Sequence, residues 1–125
     1  MYEQDYFMRM IHEMVRMLIK LLFGKDTQRW EQAEFKDAQA GADYERLVRL
    51  ADNGDICGAE NELVQSADVS NTYGLRRAVL FYGHLNEMSD EFLEAHNFSR
   101  EEIAQGLRYM ADIYGYGDIV GILEK

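Results

Sequence analysis

Turned through about 100° per residue, the stretch from Asp5 to Phe23 sorts into two faces. Arg9, His12, Glu13, Arg16 and Lys20 gather on one narrow strip. Phe7, Met8, Met10, Ile11, Met14, Val15, Met17, Leu18, Ile19, Leu21 and Leu22 occupy the rest. The pattern predicts a long amphipathic helix stopped by Gly24. Its apolar arc is roughly 200° wide, against the 100° or so that a helix lying on one core needs. Such a helix must be covered on more than one side, whether by its own chain, by a second subunit or by a membrane.

The next apolar positions, Trp30, Ala33, Phe35 and Ala38, are sparse. They predict a connector helix from Asp26 or Thr27 to about Ala40, broken by Gly41. From Asp43 the spacing tightens: Tyr44, Leu47, Val48 and Ala51 share one helical face, and Ile56, Ala59, Leu63 and Ala67 share another. Between them Asn53-Gly54-Asp55 supplies a turn, with Gly54 free to take a left-handed backbone and Asp55 placed to cap the following helix. This is a helical hairpin. Ser70-Asn71-Thr72 signals another start, and Leu75, Ala78, Val79, Tyr82 and Leu85 line the helix after it. A short helix is predicted from about Ser89 to Ala95. Ser99-Arg100-Glu101-Glu102 is a capping box opening a helix that presents Ile103, Leu107, Met110 and Tyr114. No stretch alternates with period two, so no sheet is expected.

Gly-Asp-Ile-x-Gly occurs twice, at Gly54–Gly58 and at Gly117–Gly121. In each copy the first glycine is expected to make the turn, the aspartate to cap, and the second glycine to admit a neighbouring backbone. Stacked helix–turn–helix units are the habit of helical solenoids. Gly54 and Ala59 fit the glycine and small residue of a tetratricopeptide unit, but the consensus aromatic and terminal proline are missing and the 34-residue period is absent. The reading is therefore tetratricopeptide-like hairpins; two independent, similar helix stops explain the repetition equally well. The expected architecture is all-α, with residues 1–25 as the amphipathic helix, 26–42 as the connector and 43–125 as a body of stacked helical hairpins, all in a single domain.

Composition narrows the setting. A chain of 125 residues that is 47% hydrophobic can bury a core of its own. The absence of proline permits long helices. Net charge is −10, which disfavours nucleic acid as a partner. Residues 1–25 carry +1 and residues 26–125 carry −11. The acidic start and the charges on the first helix match neither a secretory signal nor a bilayer span. With one cysteine, Cys57, and no signal peptide, the expected location is the cytoplasm.

Candidate chemistry is thin. His12-Glu13-Met14-Val15-Arg16 has Arg16 where a zinc-binding His-Glu-x-x-His helix has its second histidine. His84 and His96 bracket Glu87, Asp90, Glu91 and Glu94, but without a distinctive ligand spacing. Asp52-Asn53-Gly54-Asp55 lacks the pattern of a calcium loop. Cys57 reads as a buried structural thiol. The eight tyrosines read chiefly as core and helix-interface residues. No phosphate loop or nucleophile elbow is present. Neither metal nor cofactor is expected, nor enzymatic activity.

Tyr2 to Asp26 ("YEQDYFMRMIHEMVRMLIKLLFGKD"), "NGDICGAENEL" and Phe81 to Leu107 ("FYGHLNEMSDEFLEAHNFSREEIAQGL") resemble a family of short bacterial proteins of unknown function, found mainly in Gram-positive lineages. The resemblance implies a helical, tetratricopeptide-like fold and carries no catalytic residues. The functional expectation is a non-enzymatic interaction or scaffold module. It would self-associate, most simply as a homodimer, through Phe7, Met10, Ile11, Met14, Met17, Leu18 and Leu21. Glutamate at Met14 and Leu18 would then disperse the dimer. A further protein or peptide partner fits the same reading. The alternative is a peripheral membrane protein whose first helix lies in the bilayer interface.

Overall fold

The computed structural model describes residues 2–23, 38–69 and 73–118. These form six helices and no strand: α1 (Tyr2–Phe23), α2 (Ala38–Asp52), α3 (Ile56–Gln65), α4 (Tyr73–Asn86), α5 (Asp90–Ala95) and α6 (Arg100–Ile113). Most of the predicted connector, the Ser70-Asn71-Thr72 cap and the second copy of the glycine motif beyond Asp118 lie outside the described residues.

The organising element is α4, which packs against α1, α2 and α6. The sequence reading gave it one apolar face. In the fold Leu80 and Phe81 are buried along with Leu75, Ala78, Val79, Tyr82 and Leu85. A helix that buries residues on more than one face belongs in the interior, and α4 holds that place, its buried polar groups Arg77 and Asn86 being hydrogen-bonded. Asn86 at its end donates from Nδ2 to the Met8 carbonyl at 3.0 Å, so α4 finishes beside the N-terminal part of α1.

The wide apolar arc of α1 is largely enclosed by its own chain. Ile11, Met14, Val15, Leu18, Ile19 and Leu22 are buried, and α1 packs on both α4 and α6. Three of the seven residues expected at a subunit interface, Ile11, Met14 and Leu18, are thus core residues with no surface to offer a partner. Phe7, Met10 and Met17 are half-buried, and Leu21 is exposed. For those three the cover comes from the same chain, through α4 and α6, rather than from a second subunit.

Gly41 does not break a helix. α2 begins at Ala38 and runs through it. The surrounding Ala38, Ala40 and Ala42 are strong helix formers, which together offset one glycine's cost of about 1 kcal/mol. A Cβ at Gly41 would meet nothing within 4 Å. Gly41→Ala is therefore expected to stabilise the chain by about 0.5–1 kcal/mol, read as a higher urea midpoint with an unchanged slope.

The turns explain the repeated glycines, and partly correct them. Gly54 has φ +99° and closes α2: its N–H donates to the Ala51 carbonyl and the Asp55 N–H to the Leu50 carbonyl, both at 2.9 Å. This paired arrangement lets a left-handed residue satisfy the last carbonyls of a helix. Asp55 caps α3, accepting from the Gly58 N–H at 3.0 Å. At the end of α6 the same geometry falls on Gly115, φ +89°, with the Tyr116 N–H donating to the Ala111 carbonyl at 2.8 Å. Gly115 is thus the turn glycine there, two residues before Gly117. Nor does Gly58 admit a second backbone: the space a Cβ would need is filled by the Asp55 carboxylate. Asn97, φ 57°, ends α5 in the same manner, with the Phe98 N–H donating to Leu93 at 2.9 Å. The predicted capping box is present, Ser99 and Glu102 each accepting from the other's backbone N–H.

Candidate interaction surface

Along α1, Tyr6, Met10, Met17 and Leu21 fall on a strip about 60° wide at 100° per residue. The strip borders the buried face on one flank. Tyr6 is 52% exposed and Leu21 51%, while Met10 and Met17 are half-buried. Met8, 41% exposed, lies on the opposite flank. Next to the N-terminal half of this strip, α1 and α6 leave a groove of about 350 Å³ between them. Tyr6, Phe7 and Met10 form one wall, and Ala104, Gln105 and the flanking Glu101 and Arg108 form the other. The Tyr6 and Phe7 rings meet edge to face, centroids 5.5 Å apart. The α6 wall was missed in the sequence. Its only signal was the spacing of Glu101, Gln105 and Arg108 along one edge of α6, beside the buried Ala104.

His84 and His96 are both held in structural contacts. His84 Nε2 lies 2.7 Å from Asp52 Oδ1, tying α4 to the end of α2. His96 is 2.8 Å through Nδ1 from the Phe92 carbonyl, and its ring lies against Gly54, where a Cβ would approach to 2.6 Å. Both histidines thus buttress the α2–α3 turn. Among the described residues no group of three His, Cys, Asp or Glu side chains is arranged to hold a metal ion. Cys57, expected to be buried, is exposed, because it falls on the outer side of α3 while Ile56 and Ala59 turn inward. A second, polar depression of about 360 Å³ lies among Asp43, Arg46, Glu62, Gln65, Ser66 and Arg77. Its cations are engaged: Arg46 pairs with Glu62, and the buried Arg77 donates to the Ser66 hydroxyl. It fastens α2, α3 and α4 to one another.

Glu60, Tyr82 and Gly106 mark a tight junction of α3, α4 and α6. The Tyr82 hydroxyl donates to Glu60 Oε2 at 2.8 Å. Burial raises the Glu60 carboxyl above its ordinary value, with the Tyr82 hydrogen bond opposing and the Glu102 charge adding to the rise. Burial first, then the Glu60 charge, raises the Tyr82 phenol well above the usual range, so it remains a donor. A Cβ at Gly106 would stand 2.5 Å from Tyr82 Oη and 2.7 Å from Glu60 Oε2. Gly106→Ala is expected to cost about 1–3 kcal/mol by overpacking, seen as a lower urea midpoint. Removing the hydroxyl as well, in Tyr82→Phe/Gly106→Ala, should return part of that loss.

The fold thus presents an amphipathic groove between α1 and α6. The profile of a family of unknown function, DUF6483, matches residues 1–115. The chain belongs to that family. The matched span takes in all six helices, and so both walls of the groove and the whole α1 strip. No curated protein and no solved structure matches the chain. No helix among the described residues is long and apolar enough to cross a membrane.

Proposed function

We propose that this DUF6483 chain is a non-enzymatic helical interaction module that self-associates through the outer flank of α1 and the adjoining α1–α6 groove. The observation that carries the reading is the partial exposure of Tyr6, Met10, Met17 and Leu21 on one strip, after the chain's own helices have covered most of the rest of the apolar arc, Met8 excepted. Contiguous exposed apolar surface rimmed by polar residues marks a contact surface. Methionines suit a seam that must adapt to its partner.

The body of the module reads as tetratricopeptide-like. α2 packs on α3 and on α4, and α4 packs on α6, the order expected of two successive hairpins, α2–α3 and α4–α6. In this reading α5 belongs to the second connection, and α1 lies across the second hairpin. An exposed single thiol at Cys57 fits a reducing, cytoplasmic setting. A protein partner is favoured over a lipid surface because the main apolar face of α1, which interfacial binding would require, is already buried.

Sedimentation of the full chain tests self-association: a dimer at micromolar concentration is expected, and a monomer throughout would overturn it. Met17→Glu/Leu21→Glu should weaken the dimer by about thirtyfold or more, the loss of about 2 kcal/mol typical of interface anchors. Its helical content should be unchanged, because neither side chain is part of the fully buried core.

A further inference from the structure

Resting on that reading of self-association, we infer that the occupant of the groove is α1 of a second copy, running antiparallel about a two-fold axis that passes between Glu13 and Met14. Tyr6 stands as far before that midpoint as Leu21 stands after it, and Met10 matches Met17 in the same way. In an antiparallel pair of helices, residues equidistant from the axis on opposite sides face one another. Tyr6 therefore meets Leu21 of the second copy, and Met10 meets Met17 of the second copy. The strip is self-complementary in this direction.

Shape adds to spacing. The groove lies only at the N-terminal half of the strip, where α6 supplies its second wall. The C-terminal half instead offers the exposed Leu21, with the half-buried Met17 one turn before it. Reversal of the second helix brings these side chains over the groove, and the two-fold does so twice. A parallel pair would set groove against groove and leave Leu21 facing only itself.

Area then selects the length of the occupant. Tyr6 to Leu21 spans about 22 Å of helix at 1.5 Å per residue. A face of that length and about 12 Å helix width projects to about 260 Å² per copy, before the α6 wall and side-chain relief are added. A specific interface needs about 1,000 Å² in total, so the whole of that face has to be engaged. A short peptide confined to the groove would cover only the Tyr6–Met10 end and fall well below it. An occupant must run the length of α1, and α1 itself carries matching residues at the matching positions.

Cross-linking of single-cysteine chains tests this, in a Cys57→Ser background so that the exposed native thiol does not react. Tyr6→Cys, Leu21→Cys and Glu13→Cys chains are treated with a short bis-maleimide, after circular dichroism shows native helicity and sedimentation shows a dimer. Antiparallel pairing predicts that Glu13→Cys, beside the axis, links to itself. It predicts that a mixture of Tyr6→Cys and Leu21→Cys chains links across, whereas each of those alone stays unlinked because like positions lie about 22 Å apart. Self-linking of Tyr6→Cys or Leu21→Cys as efficient as the mixture, or no linking of Glu13→Cys, would overturn the antiparallel seam while leaving self-association standing. A native chain that sediments as a monomer at every concentration removes the self-association reading and this inference with it.

Discussion

Leu18→Glu is expected to abolish the fold, whereas Leu21→Glu, three residues on, leaves it intact. Leu18 is 0% exposed and belongs to the common core, on a helix packed against α4 and α6. A carboxylate placed there is either ionised without a partner or driven to protonate, and each costs several kcal/mol. The cavity and strain left by the lost leucine add to that. A domain of this kind has a net stability of about 5–15 kcal/mol, so one such substitution consumes much of it. Circular dichroism with urea titration should show a grossly destabilised or unfolded chain. Leu21 is 51% exposed, and its glutamate reaches water without disturbing the core. A folded Leu18→Glu chain with native stability would mean that α1 does not pack as described. The same holds for Met14→Glu. Glutamate at these positions therefore tests the core, and a change in association state has to be read at Met17 and Leu21.

Arg100→Ala is expected to cost about 3 kcal/mol, the range for removing a buried, hydrogen-bonded cation from its partners. The guanidinium is 3% exposed and engages several acceptors at once. Nη1 donates to the Asn86 carbonyl at 2.7 Å and to Asn86 Oδ1 at 3.0 Å, Nη2 to the Met88 carbonyl at 2.8 Å, and Nε to Asp90 Oδ1 at 3.0 Å. It thereby organises the turn from α4 into α5 and orients the Asn86 amide that holds the Met8 carbonyl. Without it the Asn86 and Met88 carbonyls lose their donors. A melting temperature lower by about 10 °C is the expected reading for a chain of this size. Arg100→Lys should recover little, since an ammonium cannot present the same planar fork. Asp90→Ala should cost much less, because that side chain is 64% exposed and its pairing is screened by water. Equal losses for Asp90→Ala and Arg100→Ala would mean that the ion pair, rather than the carbonyl contacts, carries the stability.

Arg100 also shows where sequence reading reaches its limit. Ser99-Arg100-Glu101-Glu102 was legible as a capping box because capping is settled within one turn of helix. The same locality made Asp55, Gly54 and the short α5 readable. What Arg100 does depends on residues 10 to 14 positions earlier, which no local pattern brings together. The two faces of α4 failed for a related reason: Leu80 and Phe81 are as apolar as Leu75, but only the presence of three neighbouring helices decides that they are all buried. The arc of α1 was read correctly as too wide for a single contact surface. Which part of it remained free depended on α6, whose wall of the groove is polar at its rim and gives little apolar signal. The repeated Gly-Asp-Ile-x-Gly stretch misled because Tyr114-Gly115-Tyr116-Gly117 offers two turn glycines, and the left-handed turn that closes α6 falls on the first.

The placement of α1 has a consequence for biosynthesis. Its inward residues pack against α4 and α6, which the ribosome makes last among the large elements. At about 5–20 residues per second, roughly 5–20 s pass between the emergence of α1 and completion of α6. Until α4 has been made, Ile11, Met14, Leu18 and Ile19 lack their main intramolecular shelter, and until α6 follows that shelter is incomplete. The last of the cover for α1 arrives only with α6, so its inward face is the part of the nascent polypeptide most exposed to premature association.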